Sequence, residues 1–205
     1  MATIAALYVQ TDGVYSGLPG IDLWDEVRDA RTYAGPHPVV AHPPCQRWCR
    51  LAPVNLARYG QAIGDDAGCF TAALASVRRW GGVLEHPAYS RAWLAHHIPW
   101  PGEAGGWQRD ADGGWCCYVE QISYGHQARK PTWLYAVGVD LPELRWGRGS
   151  DPAAWIGTSQ ARNRAALGVR GIAQLGGRAS SETPLEFRDL LISIAATAQR
   201  QAVAA

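Results

Sequence analysis

Short apolar runs separated by turn-rich stretches make up most of the chain and predict buried strands with a few helices between them. The first run, Thr3–Val9, predicts a buried strand, and a β-branched run from Val39 predicts another, ended by two prolines. Helical periodicity predicts a helix over Cys69–Trp80, with basic residues in its last turn and glycines beyond it. The later predicted elements are strands over Gly82–Glu85, Cys116–Ile122 and Thr132–Val137, and a helix opened by Thr183 and Pro184.

The strand at Val39, the helix and the strand at Gly82–Glu85 form a βαβ unit, whose two strands run parallel. Cys45 follows the first of these strands on a proline-fixed turn, and Glu85 lies on the turn that ends the second. We therefore expect Cys45 and Glu85 at the same edge of the sheet, where open α/β sheets bind ligands. A lone cysteine on such a turn is more often a packed thiol than a nucleophile, so the interpretation depends on the other motifs.

Four stretches lack clear periodicity. Residues 10–20 form a Gly-rich loop without the GxGxxG spacing of a phosphate cradle, and residues 21–35 are typical of a solvated charged helix or turn. Residues 89–114 form a loop long enough to indicate a functional insert, and residues 139–182 are polar, Gly-rich and basic. The prediction is a single α/β catalytic domain over 1–205, with a mostly parallel sheet and flanking helices.

The amino-acid composition limits the classes of protein and of binding partner that fit this chain. The chain has 205 residues, 47% of them hydrophobic, which is enough to bury a core and excludes a disordered or fibrous class. The formal net charge is only +1, so the chain lacks the basic balance of an electrostatic nucleic-acid binder, and any DNA contact must be a local patch. Ten tryptophans against two phenylalanines are unusual, and tryptophan stacks on bases as well as filling a core.

The cysteines indicate a reducing compartment. Their number is odd, and the sequence has neither a signal peptide nor an apolar run long enough to span a bilayer, so free thiols in the cytoplasm are expected. The alternative is a zinc site. Cys45 and Cys49 are four residues apart and Cys116 and Cys117 are adjacent, and neither spacing is the CxxC of a strong zinc motif, so no metal is expected.

Three segments together resemble the DNA cytosine-5 methyltransferases, with the nearest likeness to small phage-encoded members. Pro44, Cys45 and Gln46 match the Pro-Cys-Gln nucleophile motif of that family without gaps. Glu85 matches the Glu of its ENV motif, although His and Pro replace the Asn and Val. Tyr124 and the segment to residue 138 resemble a later motif, with Lys130 and Thr132 at its two arginine positions. The segments occur in the order that the family uses.

The resemblance implies a reduced Rossmann-like fold of the class I methyltransferase type and a covalent mechanism. A thiolate adds to C6 of cytosine, a carboxylic acid protonates or hydrogen-bonds N3, and C5 then attacks a one-carbon donor. Cys45 would be the nucleophile and Glu85 the acid, and Arg129 or Lys130 would contact the base and lower the pKa of the thiol. The target base would be flipped out of a duplex, with Trp100 and Trp107 as candidate aromatic contacts.

The same resemblance implies the partners, DNA and S-adenosylmethionine. The residues implied to contact substrate or DNA are Gln46, Arg47, Trp48, Tyr124, His126 and Thr132. The residues implied to bind the cofactor are Tyr8, Asp12, Gly13, Asp29 and Pro43. The sequence departs from the family in the cofactor loop, where Gly13 is the only glycine left of the usual aromatic-Gly-x-Gly, and about one strand and one helix are expected to be missing between Val9 and Val39. The basic segment is also too short for a full target-recognition domain.

Two alternatives stay open. The chain could keep the Cys45 and Glu85 pair but modify C5 of free pyrimidine nucleotides with another one-carbon donor, which the near-neutral charge favours. It could instead be a non-catalytic nucleic-acid-binding descendant, in which Cys45 is only packed.

Overall fold

The computed structural model describes residues 3–156 and 173–198. Seven strands form one sheet: β1 (Ile4–Leu7), β2 (Ile21–Trp24), β3 (Val39–Ala41), β4 (Gly82–Pro87), β5 (Gln108–Arg109), β6 (Trp115–Glu120) and β7 (Pro131–Val137). A separate parallel pair joins β8 (Ala154–Ile156) to β9 (Ala173–Leu175). The helices are α1 (Ala52–Tyr59), α2 (Cys69–Trp80), α3 (Arg91–Ala95), α4 (Gly177–Ser181) and α5 (Leu185–Ala196), with 3-10 turns at Ala30–Thr32 and Gln121–Tyr124. The chain is therefore of the mixed α/β class.

The large sheet has the strand order β2-β1-β3-β4-β7-β6-β5. The pairings among β2, β1, β3 and β4 are parallel, and those of β7 with β4, β6 with β7 and β5 with β6 are antiparallel. The expected mostly parallel sheet is thus found in one half only. Because two successive reversals cancel, β6 points in the same direction as β1 to β4, and only β5 and β7 oppose it.

The charged segment 21–35 is a turn followed by the 3-10 helix Ala30–Thr32 in its second half, as predicted, but its first residues are not. Its Ile21–Trp24 portion forms β2, which pairs with β1 from Ile4 to Leu7. All four residues of β2 are half-buried, because β2 is the edge strand of the sheet. Charged Asp22 within it obscured the strand pattern.

Two other boundaries also differ. β4 continues to Pro87, so Glu85 lies inside the strand and not on the turn after it. The 89–114 loop contains α3 and the short strand β5. The predicted basic segment 139–182 includes residues 157–172, which lie outside the described part of the chain.

Alternate residues of the strands build two cores, one on each face. On one face, α2 and α3 pack through residues such as Phe70, Val77 and Trp93 against Leu84 and Tyr135 of the sheet. On the other face, α5 packs through Phe187, Leu191 and Ile194 against residues that include Val40, Val83 and Leu134. The sheet is therefore buried between helices on both sides, as the continuous apolar strands predict.

Gly82 allows β3 and β4 to pair at the start of β4. Its φ is +126°, and a Cβ at this position would lie 2.0 Å from the carbonyl oxygen of Val39. No other residue type fits this close approach without moving the backbone. The pairing brings Val39 opposite Gly82 and Ala41 opposite Leu84, which sets the relative height of the two strand ends.

The carboxyl ends of β1, β3, β4 and β6 meet at one edge of the sheet, together with the amino end of β7. The strand order also reverses here, because β1 lies between β2 and β3. Such a switch point leaves a crevice in open α/β sheets, and ligands bind there. Among the described residues, no helix is long and apolar enough to cross a membrane.

Candidate active site

A chain of hydrogen-bonded side chains crosses this sheet edge from β1 to β7. The Tyr15 Oη lies 2.8 Å from His42 Nε2, and His42 Nδ1 lies 2.9 Å from Glu85 Oε2. The other carboxylate oxygen, Glu85 Oε1, accepts a bond of 3.2 Å from Gln121 Nε2, which also donates to Thr132 Oγ1 at 2.9 Å. The sheet thus assembles one network from residues that lie far apart in the chain.

The register of the strands explains why these side chains meet. His42 directly follows β3 and lies beside Glu85, because Ala41 is paired with Leu84. Val40 and Val83 face α5, and His42 and Glu85 each follow one of them by two residues. Because side chains alternate along a strand, His42 and Glu85 point to the same face as the two valines. Thr132, two residues before Leu134, faces the same way. The strand register and the alternation of side chains therefore place His42, Glu85 and Thr132 on the face of the sheet that α5 covers.

Glu85 is buried but ionised. Burial alone would raise its pKa, but the hydrogen bond and charge of His42 and the charge of Lys130 lower it to about 2. Its hydrogen-bond partners among the described residues are His42 on one oxygen and Gln121, a donor, on the other. The carboxylic acid that the resemblance implied at Glu85 therefore carries no proton of its own at neutral pH in the free protein.

Cys45 lies on the turn after β3, as predicted, at the same sheet edge as Glu85. Burial first, and then the charges of the neighbouring Cys49 and Glu85, outweigh the lowering effect of Lys130 and raise the pKa of the thiol to about 11. Lys130 lowers this pKa, in the predicted direction, but desolvation outweighs its charge and the net shift is upward. In the resting site the thiol is protonated and the carboxylate is not.

The two basic residues before β7 differ in surroundings. Lys130 is close enough to Cys45 and Glu85 for charge effects on both, and its Nζ donates to the carbonyl oxygens of Ser181 at 3.0 Å and Glu182 at 2.7 Å. The Arg129 guanidinium lies near Glu120, with Nε 3.8 Å from its Oε2. Lys130 therefore joins the Cys45 and Glu85 group, and Arg129 faces a second group.

That second group surrounds a cavity of about 180 Å³ lined by Glu103, Tyr118, Glu120, Arg129 and Arg148. Two aromatic rings adjoin it: Tyr89 donates its hydroxyl to Glu103, and Trp100, 54% exposed, stands edge-on to Tyr89 with ring centroids 6.4 Å apart. Arg50, five residues after Cys45, lies over the Tyr89 ring at 5.3 Å. Trp107 packs elsewhere, against Trp146, so Trp100 and Trp107 do not form one surface.

The predicted substrate residues separate into three kinds. Thr132 belongs to the hydrogen-bonded network. Gln46 is exposed, and Arg47 is half-buried with its Nη1 buried and without a hydrogen-bond partner in the described structure. The remaining three have packing roles. Trp48 donates to Asp66 and packs on Phe70, Tyr124 accepts from the Arg145 backbone, and His126 closes a turn onto Ala128.

The predicted cofactor residues follow the carboxyl ends of the parallel strands: Tyr8, Asp12 and Gly13 come after β1, Asp29 after β2 and Pro43 after β3. Tyr8 Oη is buried and has no hydrogen-bond partner among the described residues, and burial and the charges of Cys69, Asp29 and Asp66 raise its pKa. Pro43 is buried, whereas Asp12 is exposed. Gly13 sits in a tight turn, bonded to the Gln10 carbonyl oxygen at 3.0 Å.

Asp29 caps the 3-10 turn and pairs with Arg31 at 2.7 Å. Asp25, which sequence reasoning passed over, follows β2 directly and accepts the Thr11 hydroxyl at 2.6 Å. It therefore ties the β1 loop to the end of β2.

Sequence reasoning also missed Tyr15, His42 and Gln121. Tyr15 stands in an irregular loop, and Gln121 follows β6 without any motif. His42 had a signal, since it directly precedes the two prolines of the Cys45 turn, but only the pairing of β3 with β4 places it on Glu85.

Comparison of the sequence and the structure with known proteins identifies no relative of this chain. No family model, no curated protein and no solved structure matches the chain. Within the described ranges, no group of three or more His, Cys, Asp or Glu side chains is arranged to hold a metal ion. The five cysteines are all free thiols. The chemistry of this protein must be inferred from the site itself.

Proposed function

We propose that the protein modifies C5 of cytosine in DNA through covalent addition of Cys45 to C6, as a small divergent relative of the DNA cytosine-5 methyltransferases. The observation that carries the proposal is the meeting of three groups at one sheet edge: Cys45 from the turn after β3, Glu85 from β4 and Lys130 from the residue before β7. A thiol, a carboxylate and an ammonium are the groups that pyrimidine addition chemistry needs.

The proton balance of the addition fits these groups. As the bond between Cys45 Sγ and C6 forms, the sulfur loses its proton, the C5–C6 double bond opens, and N3 gains a proton. One proton is released and one is taken up, so the step needs no outside acid. Lys130 offsets the negative charge that develops on sulfur and on the ring. The resulting enamine carbon, C5, attacks an electrophile. Loss of the C5 proton to solvent then expels Cys45 as a thiolate, which takes back the proton from N3.

S-adenosylmethionine is the proposed donor, and it would supply the methyl group. The crevice between β1 and β3 offers a place for it, because Tyr8 presents a buried hydroxyl without a protein partner. Tyr8, Asp29 and Pro43 would line that site. Asp12 and Gly13 would contribute only from the outer loop, since Asp12 is exposed. The parallel half of the sheet supports a reduced Rossmann-like fold, with β2 as the outer strand of the cofactor half.

Contact with DNA is supported by the surface around the Cys45 turn. Arg47 has a buried guanidinium nitrogen without a hydrogen-bond partner in the described residues, which suits a phosphate or a base edge. Exposed Trp100 beside Tyr89 offers a stacking surface for an unpaired base. The free thiols and the resemblance to phage-encoded enzymes favour action in a cytoplasm.

A free pyrimidine nucleotide is the second candidate substrate, favoured by the net charge of only +1. Both candidates use the same Cys45 chemistry, so the substrate form can be tested in parallel.

The test is mass spectrometry of nucleosides from duplex DNA, single-stranded DNA and dCMP, each incubated with the protein and S-adenosylmethionine. The proposal predicts 5-methylcytosine with the native protein and with Cys49→Ala, and none with Cys45→Ala. A product from dCMP alone would select the second candidate. No modified base in any substrate, or a product that persists in Cys45→Ala, would contradict the covalent mechanism.

A further inference from the structure

One feature of the site has no role in the proposed function so far: the buried Glu85 carboxylate is hydrogen-bonded to His42, which is hydrogen-bonded in turn to Tyr15. The side chains of His42 and Glu85 are 13% and 10% exposed, and their ion pair measures 2.9 Å. Tyr15 is 3% exposed and lies 2.8 Å from the other ring nitrogen of His42. Both nitrogens of the imidazole are therefore engaged, which fixes the orientation of the ring.

The direction of these bonds follows from Glu85. An ionised carboxylate only accepts, so His42 Nδ1 must carry a hydrogen and donate it to Oε2, and Gln121 Nε2 must donate to Oε1. Gln121 has no freedom to turn its amide, because its Nε2 also donates to Thr132 Oγ1, whose hydrogen goes to the Lys130 carbonyl oxygen. Gln121 therefore donates to Glu85 whatever the charge of the carboxyl group, and an ionised Glu85 has a donor on each of its two oxygens.

We propose that His42, oriented by Tyr15, is a positioning residue that keeps Glu85 ionised, so that Glu85 carries the Cys45 proton to the ring nitrogen instead of acting as a standing acid. The inference rests on the proposed function, because it assigns the path of the one proton that the addition moves. Glu85 takes the proton from Sγ as the Sγ–C6 bond forms and gives it to N3. The carboxylate is regenerated in the same step, and no other acid or base is consumed.

Other charged groups around Glu85 do not replace His42. Lys130, before β7, favours the ionised form by charge alone and donates its hydrogens to the backbone at Ser181 and Glu182. His86, the next residue of β4, faces the opposite core, where it stacks on Trp93, and burial lowers its pKa to about 4. The further groups that face the network are Cys45 and Cys49 on the β3 turn, and Arg188 and Asp189 of α5, which act on Tyr15.

The test compares His42→Phe, which removes the donor, with His42→Gln, which can keep a neutral donor, and with Tyr15→Phe, which removes only a hydroxyl. The first readout is independent of activity. It is the infrared carboxylate band of protein labelled with ¹³C-glutamate, assigned with Glu85→Gln. The inference predicts that the Glu85 band titrates at a higher pH in His42→Phe than in the native protein, with Tyr15→Phe between them.

The second readout is the pH profile of deuterium exchange at C5 of cytosine. The inference predicts that the acidic limb moves to higher pH in His42→Phe, that His42→Gln moves it less, and that all variants meet the native rate at alkaline pH within about threefold. A uniform loss of rate at every pH, or an unmoved carboxylate band, would overturn the role of His42. No exchange by the native protein, with the band still moved by His42→Phe, would overturn the proposed function and leave His42 as the residue that ionises Glu85.

Discussion

Replacing His42 by alanine is expected to destabilise the protein in a way that depends on pH. A carboxyl whose pKa falls from 4.5 when unfolded to about 2 when folded contributes about 3 kcal/mol to the free energy of unfolding at neutral pH. The contribution is complete above the unfolded pKa and is lost as the pH falls toward the folded one. His42 supplies the leading favourable contribution to this lowering, so its loss should remove most of that free energy at pH 7.

Urea unfolding followed by tryptophan fluorescence measures the effect, with His37→Ala, a loop histidine, as the matched control. The expected loss in His42→Ala is about 3 kcal/mol at pH 7, about half of that near pH 3, and nearly none near pH 2. In a Glu85→Gln background the same substitution should cost less than about 1 kcal/mol, because no buried charge is left unpaired. An equal loss at pH 7 and pH 3, or an undiminished loss in the Glu85→Gln background, would refute this account of the pair.

Three further outcomes are expected. Alkylation of half-buried Cys45 by iodoacetamide, followed by peptide mass spectrometry, should be slow at neutral pH and become faster toward pH 11. Lys130→Met should move this increase to higher pH, and a fast reaction at pH 7 would contradict the raised pKa of the thiol. Trp100→Ala should weaken binding of single-stranded DNA about tenfold in a fluorescence titration, with little change in stability. Replacement of the fully buried Trp93 by alanine should instead lower the free energy of unfolding by about 3–5 kcal/mol. Equal effects of the two substitutions on stability would argue against an exposed stacking surface at Trp100. Gly82→Ala should cost more than about 2 kcal/mol in urea unfolding, because its Cβ would collide with the Val39 carbonyl, and a neutral substitution would disprove the close pairing of β3 with β4.

The elements that sequence patterns predicted best are those buried by a clear period. The helix over Cys69–Trp80 has the predicted bounds, and the βαβ unit of β3, α2 and β4 is parallel as expected. β2 was missed because an edge strand is half-buried and tolerates charge, so its Asp22 resembled a solvated turn. The antiparallel half of the sheet was not predicted, because the alternation of apolar and polar residues along a strand does not show which other strand it pairs with.

For the site, local sequence placed Cys45 and Glu85 at one sheet edge, and the structure confirms this placement. It could not place His42 on Glu85 or Gln121 across from it, because these contacts depend on register between separate strands. It also could not give the desolvation of Cys45, which depends on packing and raises the pKa of the thiol more than Lys130 lowers it.

The most direct test of the central claim is exchange of the cytosine C5 hydrogen with solvent in the absence of any methyl donor. Addition of Cys45 to C6 makes C5 an enamine carbon, so the protein in D₂O should place deuterium at C5 of cytosine in DNA or dCMP, as detected by nucleoside mass spectrometry. The account predicts exchange with the native protein and with Cys49→Ala, and none with Cys45→Ala. Absence of exchange with the native protein, or exchange that survives in Cys45→Ala, would contradict the assignment of Cys45 as the nucleophile.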